Sequence, residues 1–228
     1  FFAFMAVVVA VLLVARWATR VGIVADVVYS TATWAILGGI VGARIVHVID
    51  RWDLYRDNPA EILAIWSGGI ALLGAILGGL VGGTIYARLH GYPVGKLADL
   101  TAPALVMAQF IGRIGDIING EHVSKVTDLS FGFVYTHPDT LSNKVHGLAA
   151  SHPAIAYEMI WDALIFGVLW WLWGRLKPDG MLFALFLALY ALGRFVTMFF
   201  REGVDTYVFD LVQAQLVALL ILFVTVPL

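Results

Sequence analysis

The amino-acid sequence predicts an all-α membrane protein, a single polytopic domain over residues 1–228 with about seven membrane-spanning helices. Hydrophobic residues make up 61% of the chain and charged residues 13%, whereas a soluble domain has roughly 25% charged residues. The mean hydropathy is +0.89. Because a helix needs about 20 mostly apolar residues to cross a bilayer, we predict spans at 1–16, 27–49, 68–88, 97–119, 153–174, 180–200 and 208–227.

Charged or helix-breaking residues mark the ends of these runs. In chain order they are Arg16, Asp26, Asp50, Pro93, Gly120, Pro153, Lys177 and Asp205. The third run carries Gly74, Gly78 and Gly82 at four-residue spacing, which lets two membrane helices approach closely. We therefore expect its glycine face to pack against a neighbouring helix.

Two further segments are not predicted to cross the membrane. Residues 51–67 mix aromatic and charged side chains, which is typical of a helix in the membrane interface, and Asn58 and Pro59 mark its start. Residues 120–152 form a long polar segment with a short strand-like run at 131–135. We predict an interfacial helix and a small extracytoplasmic cap, inserted between the fourth and fifth spans.

The distribution of basic residues predicts the orientation. Short cytoplasmic loops of membrane proteins are enriched in Lys and Arg. One set of very short loops holds Arg16, Arg20, Arg88, Lys96, Arg175 and Lys177, and the opposite set mixes basic with many acidic residues. We therefore expect the N-terminus outside and the C-terminus in the cytoplasm.

Composition also excludes several kinds of site. The net charge of −2 provides no basic excess for phosphate contacts, so we expect no nucleic-acid partner. The chain has no cysteine, so any thiol in its chemistry arrives with a substrate. The six histidines are scattered and no glycine-rich loop follows a strand, so we predict neither a metal site nor a cofactor.

Three arginines lie inside predicted spans: Arg44, Arg113 and Arg194. An ionisable residue at this depth normally faces a polar cavity or a partner. Gly112 and Gly193, which precede the last two arginines, allow another backbone to approach. Guanidinium groups in such a pocket suit the phosphate of a lipid headgroup. The alternative is that each arginine only pairs with a nearby carboxylate or reaches the membrane surface.

The stretch from 113 to 122 is the richest in polar groups. Arg113 and Asp116 have helical spacing, and Asn119, Glu121 and His122 lie where that helix is predicted to end. A polar cluster that opens into an aqueous cap is suited to a reaction. The alternative is an Arg113–Asp116 pair that neutralises itself, followed by ordinary solvated residues.

These motifs resemble those of the bacterial prolipoprotein diacylglyceryl transferase family. The segment GRIGDIINGEH at 112–122 is similar to the family signature Gly-Arg-x-Gly-Asn-x-x-Asn-x-Glu. Residues 42–70, HPAIAYE at 152–158 and LYALGRFVTMFFRE at 189–202 resemble other family elements in the same order. The resemblance covers most of the chain.

The resemblance implies transfer of the diacylglyceryl group of phosphatidylglycerol to the lipobox cysteine of a preprolipoprotein, at the outer face of the bacterial plasma membrane. Besides these two substrates, we expect membrane lipids as partners. Arg113, Glu121 and Arg194 are then expected to be catalytic, with Glu121 the first choice for the base and His122 the second. Further residues expected to bind substrate are Arg44, Asp116, Asn119, His122, His152, Tyr157 and Arg201.

The chain also departs from the family pattern. Asp116 replaces the signature Asn and Ser124 the closing Gly, while Leu73 and Met198 replace a His and a Glu found in many members. The family's N-terminal Tyr element would lie upstream of Phe1. Two hypotheses therefore stand: an active transferase of a divergent branch, or an inactive homologue that serves as a lipid-binding structural subunit of a membrane assembly.

Overall fold

The computed structural model describes residues 1–56, 58–64, 66, 68, 69, 71–204, 206, 207 and 209–227. Helices dominate this part of the chain. They are α1 (Phe2–Arg20), α2 (Ala25–Asp50), α3 (Trp52–Tyr55), α4 (Leu72–Leu89), α5 (Val94–Asn119), α6 (Leu141–His146), α7 (Ala154–Leu172), α8 (Met181–Thr197) and α9 (Gln213–Thr225). Two 3₁₀ turns, Pro59–Leu63 and Met198–Phe200, follow α3 and α8.

The predicted all-helical membrane fold is confirmed. Within the described residues, five helices are long and apolar enough to cross a bilayer: α1, α2, α5, α7 and α8 together with its 3₁₀ turn. Two shorter apolar helices, Gly74–Leu89 and Gln213–Thr225, fall in the other two predicted spans. The count of seven spans and the extracytoplasmic position of the cap stay predictions.

Helix α9 begins later than the predicted start at residue 208. Phe209 and Asp210 have φ values of 53° and 57°. This left-handed conformation is incompatible with a right-handed α-helix, so the helix begins only after these two residues. The side chain of Gln215 then accepts a hydrogen bond from the backbone N–H of Val212 at 3.1 Å. This contact satisfies one of the backbone donors that every helix start leaves free.

The predicted interfacial helix over 51–67 is wrong as a single element. The chain instead forms α3, which has four residues, and then the 3₁₀ turn Pro59–Leu63. Proline has no N–H and cannot continue a preceding helix, so a new turn begins at Pro59. The side chain of Asn58 donates to Glu61 Oε1 at 3.0 Å and holds this turn.

The chain divides into two compact units, and Val14–Leu97 form the first. Its centre is the contact between α2 and α4, where glycines of the two helices face each other. A Cβ atom at Gly38 would lie 2.5 Å from the carbonyl oxygen of Gly78, and one at Gly82 would lie 2.6 Å from that of Trp34. No side chain fits at this distance, so the predicted close helix packing is present.

Phe1–Leu13 and Ala98–Leu228 form the second unit. Its core joins α5, α7 and α8 through side chains that are at most 3% exposed, namely Ala102, Val106, Ile165, Leu169, Leu182 and Phe186. Asp99 accepts hydrogen bonds from the backbone N–H groups of Gly180 at 2.8 Å and Phe183 at 3.0 Å. A carboxylate at this helix start is favourable, and it fixes α8 against α5.

The 120–152 segment belongs to the second unit and is held together by local hydrogen bonds. In its described residues the strand-like run forms no strand, only an isolated bridge between Phe133 and Ser151. Ser142 Oγ donates to the carbonyl of Gly120 at 3.0 Å, and the Asn143 side chain donates to the carbonyl of Tyr135 at 2.6 Å. These bonds hold the segment at the end of α5.

Candidate active site

Three arginines of the second unit meet at one carboxylate, that of Glu158. Arg113 Nη2 lies 2.7 Å from Glu158 Oε2, while Arg194 Nη1 and Arg201 Nη2 lie 2.8 Å and 3.4 Å from Oε1. The Glu158 side chain is 7% exposed. Thr197 Oγ1 donates to the same Oε1 at 3.2 Å. The result is a buried cationic cluster organised around a single acid.

Each of these groups comes from a different part of the helical core. Arg113 lies on α5, Glu158 on the second turn of α7 and Arg194 near the end of α8. Arg201 follows the 3₁₀ turn Met198–Phe200. Since α5, α7 and α8 pack on one another, residues that are far apart in sequence are brought together here.

Gly193 leaves space for the side chain of Trp161 beside Arg194. The indole of Trp161 lies against Gly193, and any Cβ atom at that position would overlap the indole ring. Trp161 Nε1 also donates to the carbonyl of Leu189 at 2.8 Å. The glycine that precedes Arg194 therefore provides the space in which the Trp161 side chain packs.

Arg113 and Arg194 line one cavity. Its other lining residues are Glu158, Trp161, Asp162, Tyr190, Gly193 and Thr197. The two arginines share the carboxylate of Glu158, and Arg113 also pairs with Asp116. The sequence-based alternative, in which each arginine only pairs with a carboxylate near it, therefore describes part of the contacts of Arg113. Asp162 is 4% exposed, and within the described residues its carboxyl group has neither an ion pair nor a hydrogen bond.

A second branch of contacts runs from Arg113 to the end of α5. Arg113 Nη1 donates to Asp116 Oδ2 at 2.9 Å, and His122 Nε2 lies 3.4 Å from the same oxygen. Glu121 is exposed, and one ligand atom from each of Asp116, Glu121 and His122 lies within 4.8 Å of the others. Arg113 thus connects the buried cluster with a more accessible polar group.

Three other residues are predicted from the sequence to bind substrate. Asn119 is the exposed last residue of α5, and its side chain makes no hydrogen bond within the described part. His152 Nδ1 and the Tyr157 hydroxyl are 3.3 Å apart. Both rings contact Phe200, with centroid distances of 5.1 Å and 5.4 Å, which is a packed aromatic group at the start of α7.

Arg201 is buried more deeply than the other two arginines, with a 4% exposed side chain. Burial lowers the pKa of its guanidinium, although Glu158 opposes this effect. Its Nη1 atom is buried without a hydrogen-bond partner among the described groups. Its backbone pairs with Ser124. Burial also raises the pKa of the Tyr135 phenol, and the positive charge of Arg201 opposes this rise.

Arg44 belongs to the other unit and is 6% exposed. Its donors bond to the carbonyls of Ile62 at 2.8 Å, Gly68 at 2.7 Å and Gly69 at 2.8 Å, and also to those of Glu61 and Ala64. These bonds employ all three nitrogens of the guanidinium. They favour a role in holding the 61–69 segment, and the predicted substrate role of Arg44 stays a prediction.

The positions that depart from the family pattern are only partly described. The side chain of Leu73 lies outside the described residues. Met198 is 7% exposed and Ser124 4% exposed, so both are packed. The prediction missed Glu158, although that residue stands within the HPAIAYE element. The sequence contained a signal for it: three arginines lie in predicted spans and need an acid, and Glu158 is a glutamate that lies one turn into a span.

Comparison with known proteins gives a family match over the whole chain and similar proteins that match most of it. The family described as Prolipoprotein diacylglyceryl transferase matches residues 1–228. A Lactiplantibacillus plantarum protein named phosphatidylglycerol–prolipoprotein diacylglyceryl transferase is 37% identical over 204 residues, 88% of this chain and 71% of that protein. Proteins of the same name from Trichormus variabilis and Dehalococcoides mccartyi are 38% and 37% identical, over 74% and 89% of this chain. The chain covers 62% and 76% of their lengths.

Proposed function

Because the chain belongs to the prolipoprotein diacylglyceryl transferase family, we propose that it transfers the diacylglyceryl group of phosphatidylglycerol to the lipobox cysteine of preprolipoproteins. In this reaction the cysteine sulfur forms a bond to the glyceryl carbon, and the bond from that carbon to the phosphate oxygen breaks. The electron pair leaves with glycerol phosphate. The thiol comes from the substrate, since the chain has no cysteine.

The observation that carries this proposal is the cavity shared by Arg113 and Arg194. A guanidinium presents a planar fork of donors that matches two phosphate oxygens and stays charged. Two such groups on one cavity can hold the phosphate before transfer and stabilise the additional charge on the leaving glycerol phosphate. Glu158 keeps the two groups close together in spite of their like charge.

We propose that the reaction takes place at the outer face of the bacterial plasma membrane, with the N-terminus outside and the C-terminus in the cytoplasm. The five long apolar helices support a membrane location, and the distribution of basic residues supports this orientation. The lipid would then enter the cavity from the bilayer and the peptide from the side of the 120–152 segment. Asp116, Glu121 and His122 lie at that end of α5 and are the candidates for accepting the thiol proton.

The test is a transfer assay with purified protein, vesicles of phosphatidylglycerol and a peptide that contains a lipobox cysteine. Mass spectrometry measures addition of the diacylglyceryl group, and phosphatidylethanolamine vesicles and a Cys→Ser peptide are the negative controls. We expect transfer by the unchanged protein and its loss in Arg194→Ala. Arg175→Ala is the matched control, because Arg175 is exposed and its guanidinium lies 5.1 Å from the Trp171 ring, outside the cavity.

The inactive homologue is the second candidate, and the replacements at Leu73, Ser124 and Met198 favour it. It predicts saturable binding of phosphatidylglycerol that depends on Arg194, with no modified peptide at any protein concentration. Transfer that requires Arg194 would exclude it. Absence of both binding and transfer would contradict both candidates.

A further inference from the structure

His122 is placed as one member of a histidine–carboxylate pair. It follows the end of α5, and its side chain is 38% exposed. Its Nε2 atom lies 3.4 Å from Asp116 Oδ2, and Asp116 is in turn held by Arg113 at 2.9 Å. A histidine oriented by a carboxylate is the usual arrangement of a group that accepts a proton from a nucleophile.

The second ring nitrogen of His122 is available. Within the described part of the chain, Nδ1 has no hydrogen-bond partner. When Nε2 carries the proton directed at Asp116, Nδ1 holds a free lone pair, since the bond made by one nitrogen determines the role of the other. The His122 side chain as a whole is partly exposed, so a substrate can approach the ring.

Glu121 is the alternative acceptor in the same cluster. It is exposed, and within the described residues no hydrogen bond or ion pair orients its carboxylate. Asp116 Oδ2 already accepts a hydrogen bond from Arg113, and a carboxylate held by a cation is a weak proton acceptor. Of the three groups, His122 has an orienting carboxylate and a ring nitrogen that receives no hydrogen bond from a cation within the described residues.

We propose, on the basis of the transferase function above, that His122 Nδ1 takes the proton from the substrate thiol and that Asp116 is its positioning residue. The S–H bond breaks, its electron pair stays on sulfur, and the proton moves to Nδ1. The thiolate then attacks the glyceryl carbon while the phosphate oxygen departs with the electrons of the carbon–oxygen bond. The imidazolium afterwards releases its proton to water or to glycerol phosphate.

Thiol activation can be measured without lipid. Iodoacetamide alkylates the thiolate of a single-cysteine lipobox peptide, and mass spectrometry follows the rate with and without the full-length protein. The protein has no cysteine of its own, so the peptide gives the whole signal. We expect the protein to accelerate alkylation, His122→Ala to abolish the acceleration, and added imidazole to restore part of it.

The matched control is His137→Ala. His137 Nδ1 lies 3.9 Å from Asp139 Oδ2, so it is another histidine–aspartate pair, but its side chain is 70% exposed. Among the described residues, no hydrogen bond or ion pair joins it to the arginine cluster. This variant is expected to match the unchanged protein. In the transfer assay, His122→Ala should lower kcat by about 100-fold, and Asp116→Asn combined with it should lower kcat no further.

The outcomes separate this proposal from the proposed function. If the peptide is alkylated as fast with the His122→Ala variant as with the unchanged protein, the role of His122 is overturned. Loss of the acceleration in Glu121→Gln, with His122 intact, would overturn it as well. An unchanged protein that gives no acceleration would overturn it too. Acceleration that depends on His122 without lipid transfer would support the role of His122 and contradict the transferase function.

Discussion

The substitution Glu158→Gln tests whether one carboxylate holds the arginine cluster together. Glutamine keeps the size of the side chain and removes its charge. Arg113, Arg194 and Arg201 would then face one another with like charges and no central acid. We expect the protein to lose stability, because removal of one partner leaves the other charges buried and uncompensated.

The geometry gives the size of the effect. At an effective dielectric constant of about 20, each contact of 2.7 to 3.4 Å has a Coulomb attraction of about 5–6 kcal/mol before desolvation is subtracted. Breaking a buried ion pair lowers the free energy of unfolding by about 3–5 kcal/mol. For a chain of this length, about 1 kcal/mol corresponds to roughly 2–4 °C in Tm. We therefore expect Tm to fall by about 10 °C.

The assay is thermal unfolding in detergent, followed by the intrinsic fluorescence of the eight tryptophans. Asp162→Asn is the matched control, since Asp162 lies one turn further along α7, is 4% exposed and has no ion pair in the described part of the structure. Its Tm should change by less than about 3 °C. Equal losses in the two variants, or an unchanged Tm in Glu158→Gln, would refute the reasoning.

Three further changes test the cavity and the helix packing. Arg113→Lys should fail to restore the transfer lost in Arg113→Ala, because an ammonium group is a point charge and not a planar fork; full activity of the lysine variant would show that charge alone suffices. Gly193→Ala should displace Trp161, reduce transfer and shift the tryptophan emission, whereas Gly167→Ala, whose added Cβ has no neighbour within 4 Å, should leave both unchanged. Gly78→Leu should lower the free energy of unfolding by about 1–3 kcal/mol, and a Tm equal to that of the Gly167 variant would contradict the close packing of α4 on α2.

The sequence predicted the positions of the long apolar helices well because each depends on local composition. An apolar run of about 20 residues has few alternatives to a helix in a bilayer. The ends of the helices were predicted less well. The late start of α9 depends on two residues with left-handed backbone, Phe209 and Asp210. Aspartate adopts this conformation only occasionally and phenylalanine rarely, so the sequence carried little sign of it. Asn58 and Pro59 mark a helix start in the sequence, and the 3₁₀ turn begins at Pro59. The extent of the helix over 51–67 rested on a mixture of aromatic and charged residues, which does not determine helix length.

The candidate site was predicted in part. Arg113 and Arg194 were identified because a charge in an apolar run is unusual. Glu158 was passed over because it stands near the start of its span, where a charged residue is ordinary. Whether several charges meet depends on the rotation and depth of α5, α7 and α8. Hydropathy does not encode these features, and they follow from the packing of side chains such as Ile165 and Phe186.

Arg113 joins the two halves of the proposed reaction because its terminal nitrogens hold different acids. Nη2 faces Glu158 and Nη1 faces Asp116, while Glu158 lines the cavity and Asp116 does not belong to the lining set in the described residues. A phosphate that enters the cavity therefore competes with Glu158 for Arg113. Under the proposed function, the bond from Arg113 to Asp116 would stay in place, and with it the orientation of His122. The lipid would then bind and leave while the proposed proton acceptor remains oriented, so that a single guanidinium would serve both substrates in turn.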